Sequence, residues 1–491
     1  MITRWNRAAS AAFIALACTS IVKADVVTEW NDEWLDTIRA VGGPPCPLSR
    51  SQSILFVSIF EAVNSVNRKA EPYLDYIPLR GVTSERAAAA AAAHKVLVSL
   101  YPARQALYDA RYNAQLALVR NQTAKNNGII VGEAAATAIL NVRAGDRTDS
   151  LPSYTYQDVP GAYRPTAPDF TSPPFSPGWG TTDCWCMVSG DQFRPRGPLG
   201  YNRLAPLLRS KGYADQVNEV KSLGSRNSTT RTAEQTEIAW FWANDRNGTF
   251  KPPGHLNYIT SVISGNQGLT LAQNARLFAL VGLALGDAGL VAWDQKYSSD
   301  VDLWRPISAI RLADTDNNPR TTKKGNWAPL LEFTPPFPAY TSGHATFGAA
   351  HAAIMRNFFG TDNITFTVGT DEPIVSNITR TFTSFSEAAR ENGLSRVYLG
   401  VHFRFDADSA YSSGTLVGNY VYRNFLRPIA CPADLNDDNR VNSTDSAIFS
   451  AAYFTEDLKA DINADGVVTE ADYFLFADYY LDGCSPVTVE E

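Results

Sequence analysis

Histidine is scarce in this chain of 491 residues, with five in all, so any imidazole chemistry rests on His94, His255, His344, His351 or His402. An excess of positive charge is missing too. Lysine and arginine number 43 against 50 aspartates and glutamates, for a net charge of −7, which argues against the basic face that nucleic-acid binding needs. Hydrophobic residues at 45% and charged ones at 19% exclude a disordered or fibrous chain. No apolar run is built to span a bilayer: Ala8–Val22 is too short, and Leu277–Val291 is broken by Asp287 and reads as a buried helix. Strand-like alternation of useful length is absent before the C-terminus, so the main domain is expected to be almost wholly α.

The N-terminus carries an address. Arg4 and Arg7 precede the apolar Ala8–Val22, and Val22-Lys23-Ala24 offers a cleavage site before Asp25. Residues 1–24 therefore read as a signal peptide, and the protein as exported. Removing them leaves Cys46, Cys184, Cys186, Cys431 and Cys484. An odd count leaves one cysteine unpaired or intermolecular; Cys431 with Cys484 is the best pair, because the two bracket a C-terminal module.

From Val26 to about Arg143 the period is helical: Trp30, Trp34, Ile38 and Val41 recur every three or four residues, and Ile54–Val66 and Arg86–Leu100 continue it. The run Ala87–Ala93 predicts a tightly packed helix. Between about Ser150 and Gly200, prolines, glycines and aromatics crowd together; such a stretch cannot be a helix and suits the mouth of a site. Helical patterning returns at Thr232–Asn244 and Thr270–Gln295. After Pro428 aspartates and an internal repeat begin, which puts a boundary at about 429 and divides the mature chain into 25–428 and 429–491.

Three segments carry chemistry. They are Lys296 to Arg305-Pro306, then Pro338-Ala339-Tyr340-Thr341-Ser342-Gly343-His344, then Ser395-Arg396 followed by His402 and Asp406. A tetrahedral oxyanion needs converging donors, and Arg and Lys supply charge-assisted ones. Ser342 and Gly343 stand before the apolar run Ala345–Phe359, a helix N-terminus whose free N–H groups favour an anion. His402 and Asp406 are one helical turn apart, so the carboxylate can orient the imidazole. Such a site suits either phosphoryl transfer through a phosphohistidine or the binding of a phosphate-like metal oxyanion.

These segments resemble the signature of the type 2 phosphatidic acid phosphatase and vanadium haloperoxidase superfamily: Lys-x6-Arg-Pro, Pro-Ser-Gly-His and Ser-Arg-x5-His-x3-Asp. The third matches throughout. In the second Thr341 replaces proline, and in the first eight residues separate Lys296 from Arg305 in place of six. The resemblance covers about residues 26–427 and looks like the bacterial branch. It implies an all-α helical-bundle acid phosphatase/haloperoxidase fold, with vanadate as cofactor. By the same resemblance His402 would be the vanadate ligand, or the nucleophile in a phosphatase, and His344 the general acid/base. Lys296, Arg305, Ser342, Gly343 and Arg396 would hold the equatorial oxygens, and Asp406 would orient His402. Trp293 and Phe337 stand at offsets similar to those of aromatics at the halide site of chloroperoxidases. The function implied is a secreted haloperoxidase oxidising halide with hydrogen peroxide to a hypohalous acid equivalent. A secreted acid phosphatase is the alternative, since one cage serves both. Among the other histidines, His94 and His351 read as structural, and His255 in a Pro-Pro-Gly-His loop as a minor candidate.

The C-terminal module repeats a calcium-loop pattern. Asp434, Asn436, Asp438 and Asp445 fall at loop positions 1, 3, 5 and 12, with the backbone of Arg440 at position 7; Asp461, Asn463, Asp465, Val467 and Asp472 repeat this 27 residues later. Asp at position 12, and an apolar helix after each loop, resemble a type I dockerin, which implies bound Ca2+ and a cohesin-type receptor. A third reading makes this anchor the purpose of the protein and the main domain a scaffold; the intact His344, His402 and Asp406 set argues against it.

Overall fold

The computed structural model describes residues 25–170, 173–375, 377–429, 431–436, 441–463 and 466–482. The signal-peptide reading, and Asp438, Arg440, Asp465 and Cys484, lie outside them. Five helices open the chain: α1 Val26–Val41, α2 Pro45–Asn67, α3 Glu85–Leu100, α4 Gln105–Ala117 and α5 Gln122–Ala144. Asp25 starts α1 with a capping box, its carboxylate accepting the amides of Val27 and Thr28 at 2.9 and 3.0 Å. Trp30, Trp34 and Ile38 are fully buried as their spacing predicts; Val41, where the helix ends, is exposed. The alanines of α3 are buried throughout. A Cβ on Gly132 of α5 would come within 2.2 Å of the Ala88 carbonyl oxygen, so the two helices meet backbone to backbone.

Among the described residues, no α-helix lies between α5 and α6 Leu204–Arg209, only short 3-10 turns. Then come α7 Lys211–Leu223, α8 Ala233–Phe241, α9 Lys251–Asn266 and α10 Leu271–Ser298. The start of α9 corrects the sequence reading, which took Pro252-Pro253-Gly254-His255 for a loop. Prolines are tolerated in a first turn, whose N–H groups have no intrahelical acceptor. Helix α10 is long and apolar enough to cross a membrane by composition, yet it is buried in the protein and packs against α2. It is the central core helix.

The break in its apolar run has a purpose. Asp287 is fully buried and accepts the amides of Trp185, Cys186 and Met187 at 2.8, 2.9 and 3.0 Å. The proline-rich segment is thereby tied to the core. Arg194 from the same segment pairs with Asp294 one and a half to two turns further on, Nη2 to Oδ1 at 2.8 Å. Asp287→Ala would strand three buried amides, each costing about 1–3 kcal/mol. The expected result is a thermal midpoint lowered by several degrees in a calorimetric scan, the shift per kcal/mol being smaller the larger the domain.

After α10 follow α11 Pro306–Arg311, α12 Gly343–Phe359, a hairpin of β1 Phe366–Gly369 and β2 Thr379–Phe382, α13 Phe385–Tyr398 and α14 Arg404–Asn424. The hairpin, with Phe366 opposite Phe382 in antiparallel register, departs from the all-helical expectation. Its four-residue strands bury Phe366, Val368 and Phe382, too short a run for alternation to reveal. Helices α12 and α14 lie along each other: a Cβ on Gly414 would sit 2.2 Å from the Thr346 carbonyl oxygen. At the C-terminus α15 Ser443–Tyr453 and α16 Glu470–Asp482 share a small core in which Phe449 stacks on Phe476 at 4.1 Å. Cys431 is disulfide-bonded; Cys184 and the buried Cys46 and Cys186 are free thiols.

Candidate active site

The three motif segments converge around buried cations. Ser342 caps α12, with its hydroxyl accepting the Ala345 amide at 3.4 Å. Its own amide donates to the Asp406 carbonyl at 3.1 Å, which ties the second motif to the third. Gly343 opens the helix, and a Cβ there would lie 3.2 Å from the Trp293 ring, so a larger residue would press on the indole.

His402 and Asp406 do meet, though not on one helix. His402 precedes α14, and Asp406 sits in that helix's first turn. His402 Nδ1 lies 2.8 Å from Asp406 Oδ2, which also accepts the Phe403 amide at 2.9 Å. Burial pushes the Asp406 carboxyl up to about 7, opposed by the Phe403 amide and by the Lys296 and Arg305 charges. The Arg305 guanidinium can only donate, and its Nη1 meets His402 Nε2 at 3.0 Å, so Nε2 is the acceptor. Nδ1 is thus the protonated nitrogen, and Nε2 keeps its lone pair. Burial first, then the charges of Arg305, Lys296 and Arg396, holds the His402 pKa well below the usual value, so the imidazole is neutral.

Arg305 Nε donates to the Phe337 carbonyl at 2.6 Å and Nη1 to Val401 O at 2.7 Å and to His402 Nε2 at 3.0 Å. Arg396 Nη2 pairs with Asp245 Oδ2 at 2.7 Å. Both guanidiniums are buried, and Arg305 Nη2, Arg396 Nε and Arg396 Nη1 have no hydrogen-bond partner in the protein. A buried guanidinium with unused donors is costly unless an acceptor is supplied. The donor set is that of an anion site.

Lys296 reaches the same place in spite of its longer spacing from Arg305, because α10 carries it to the last turn before Ser298. Its Nζ donates to the carbonyls of Pro338 at 2.7 Å, Ala339 at 3.2 Å and Thr341. Three acceptors hold it as an ammonium, against burial and the Arg305 charge, which both push its pKa down. Its contacts brace the strand of backbone leading to Ser342.

Beside these groups lies a cavity of about 490 Å³, lined among others by His344, Arg396, His402, Trp293, Phe337 and Phe175. The proline-rich segment supplies part of its wall, Tyr163 to Asp169 and Phe175, as a mouth should. Trp293 and Phe337 face each other at 5.0 Å between ring centroids; Lys296 Nζ lies 4.9 Å and the Arg305 guanidinium 4.5 Å from the Phe337 ring. His344 Nε2 is 3.2 Å from the Ala243 carbonyl, and burial followed by the Arg396 charge lowers its pKa to about 3. His344 is therefore neutral in this arrangement.

The remaining histidines are structural. His255 is fixed between the Asn244 amide and the Gly369 carbonyl and stacks on Phe250; it does not line the cavity. His351 meets the Thr260 hydroxyl at 2.9 Å, and His94 pairs with Asp109 at 2.6 Å. Asp245 was missed from sequence. It lies in Asn244-Asp245-Arg246-Asn247-Gly248, a turn composition that carries no motif, and only the fold brings it to Arg396 and His344.

Residues 276–430 match the family described as the VCPO second helical-bundle domain. The chain is 29% identical to the vanadium chloroperoxidase of Curvularia inaequalis over 78% of its own length and 79% of that protein's. Among solved structures it resembles a bacterial vanadium-dependent iodoperoxidase, with TM-score 0.70 and 23% identity over 82% of this chain and 97% of the other. It also resembles a bacterial vanadium-dependent chloroperoxidase in the apo form, with TM-score 0.61 and 17% identity over 78% and 94%. Taken with the helical fold and the converging motifs, these matches make the chain similar to vanadium haloperoxidases, in fold along most of its length and in residues 276–430 to their second helical-bundle domain.

Proposed function

We propose that the protein is an exported, vanadate-dependent haloperoxidase that oxidises halide with hydrogen peroxide. The observation that carries this is the set of buried, unpartnered guanidinium donors on Arg305 and Arg396, gathered around a neutral His402 whose Nε2 keeps its lone pair. This set fits a tetrahedral metal oxyanion: His402 would ligate it, while Arg305, Arg396, Ser342 and the amide of Gly343 would hold its oxygens. When bound, vanadate activates peroxide toward attack by halide. His344, neutral and on the cavity wall, is placed to take or give a proton. Trp293 and Phe337 give the halide an apolar, cation-flanked wall. Asp245 offsets the Arg396 charge.

The test is bromination of a phenolic dye by purified mature protein with hydrogen peroxide and bromide, with and without orthovanadate, and with excess phosphate. Vanadate-dependent bromination suppressed by phosphate is the expected result. No bromination, alongside His402-dependent hydrolysis of a phosphomonoester, would make the protein the alternative acid phosphatase.

We also propose that residues 429–491 form a calcium-binding, dockerin-like module that docks a cohesin-type receptor. Its support is the repeated geometry of the two loops. Asp445 Oδ1 accepts the amides of Leu435 and Asn436 at 2.9 and 3.3 Å, and Asp472 Oδ1 accepts those of Ile462 and Asn463 at 2.9 and 3.1 Å. Both carboxylates are buried. Calcium titration by calorimetry should register binding that Asp472→Ala weakens; no heat of binding would sink this reading.

A further inference from the structure

Tyr163 is a buried polar side chain that none of the motifs accounts for. It belongs to the proline-rich segment, where residues 161–163 run antiparallel beside 302–304. The Tyr163 amide donates to Asp302 O and the Trp304 amide to Gly161 O, both at 2.7 Å, with Ala162 and Leu303 bridged between them. This pairing ends one residue short of Arg305, so the phenol is anchored to the very segment that carries the guanidinium. Its ring is packed by Tyr154 and Tyr156 at 5.9 and 6.0 Å between centroids, and the Tyr154 hydroxyl is itself bound to Asp302.

Tyr163 is fully buried, lines the cavity together with His344, Arg396 and His402, and its hydroxyl has no partner in the protein. A hydroxyl so placed is costly to bury and can donate one hydrogen bond. Burial raises the phenol's pKa, against the Arg305 charge, so it stays a donor at ordinary pH. The unused donors of Arg305 and Arg396 belong to the same set. We propose that the Tyr163 hydroxyl is a further donor of the oxyanion site, hydrogen-bonded to an oxygen of the bound tetrahedral oxyanion. The assignment rests on the reading of this centre as an anion site.

The experiment is calorimetric titration of the full-length protein and its Tyr163→Phe variant, stripped of anions, with orthovanadate and separately with inorganic phosphate. Wild type is expected to bind vanadate and the variant to bind it about tenfold more weakly, the equivalent of one hydrogen bond. Weaker phosphate binding in the variant would assign the contact to tetrahedral oxyanions in general, and unchanged phosphate binding to vanadate alone. The ligand-free variant should melt no lower than wild type, since phenylalanine removes an unsatisfied hydroxyl. Vanadate binding within twofold of wild type would overturn the proposal. So would a ligand-free midpoint lowered by several degrees, which would make the hydroxyl structural. Failure of wild type to bind either anion would overturn the underlying reading as well.

Discussion

Replacement of His402 by alanine should reduce bromination to background, a loss of roughly 10³-fold or more, while the protein remains folded. Among the described histidines, His402 is the one that meets Arg305. His402 is buried and neutral, with Nδ1 committed to Asp406 at 2.8 Å and Nε2 left as the one imidazole lone pair directed at Arg305. Alanine removes that ligand atom and leaves Asp406 Oδ2 bound to the Phe403 amide, 2.9 Å away, so the start of α14 keeps its hydrogen bond. Asp406→Ala should behave differently. It frees the imidazole to change tautomer and should cost about 10–100-fold, as removal of an outer partner does. Dye bromination at saturating vanadate, with circular dichroism as the fold check, separates the two. Equal losses for both variants would show that His402 acts only as part of a structural pair.

Arg396→Ala should weaken vanadate by about 10²-fold or more, because a charged donor buried beside an anion contributes more than a neutral one. It should also lower stability, since the partly buried Asp245 would lose its partner at 2.7 Å beside the cavity. The double variant Arg396→Ala, Asp245→Asn provides the control. It should recover most of the stability and little of the affinity. Thermal midpoints and vanadate titrations measured on the same samples check both halves.

The legibility of this protein follows from the range of its interactions. The helix stripes were readable because burial repeats every three or four residues, and Trp30, Trp34 and Ile38 obey it. The alanine run was readable as a close contact, although its glycine partners on α5 were not. Oxyanion chemistry was readable because its residues cluster in three short segments. Spacing alone suggested that His402 and Asp406 share a helix; the contact forms instead across the start of α14. Asp245 and Tyr163 were invisible, because each reaches the site by a long-range pairing, one to Arg396 and one to Asp302. The prolines of α9 misled because they sit in a first turn, where their missing amides cost nothing.

The most direct measurement is equilibrium dialysis of orthovanadate against the anion-stripped protein, with competing phosphate and with His402→Ala alongside. One vanadium retained per chain, displaced by phosphate and absent from the variant, is the result expected if the buried guanidiniums and His402 form a single oxyanion site. Undiminished vanadium retention by the variant, or none by wild type, would contradict it.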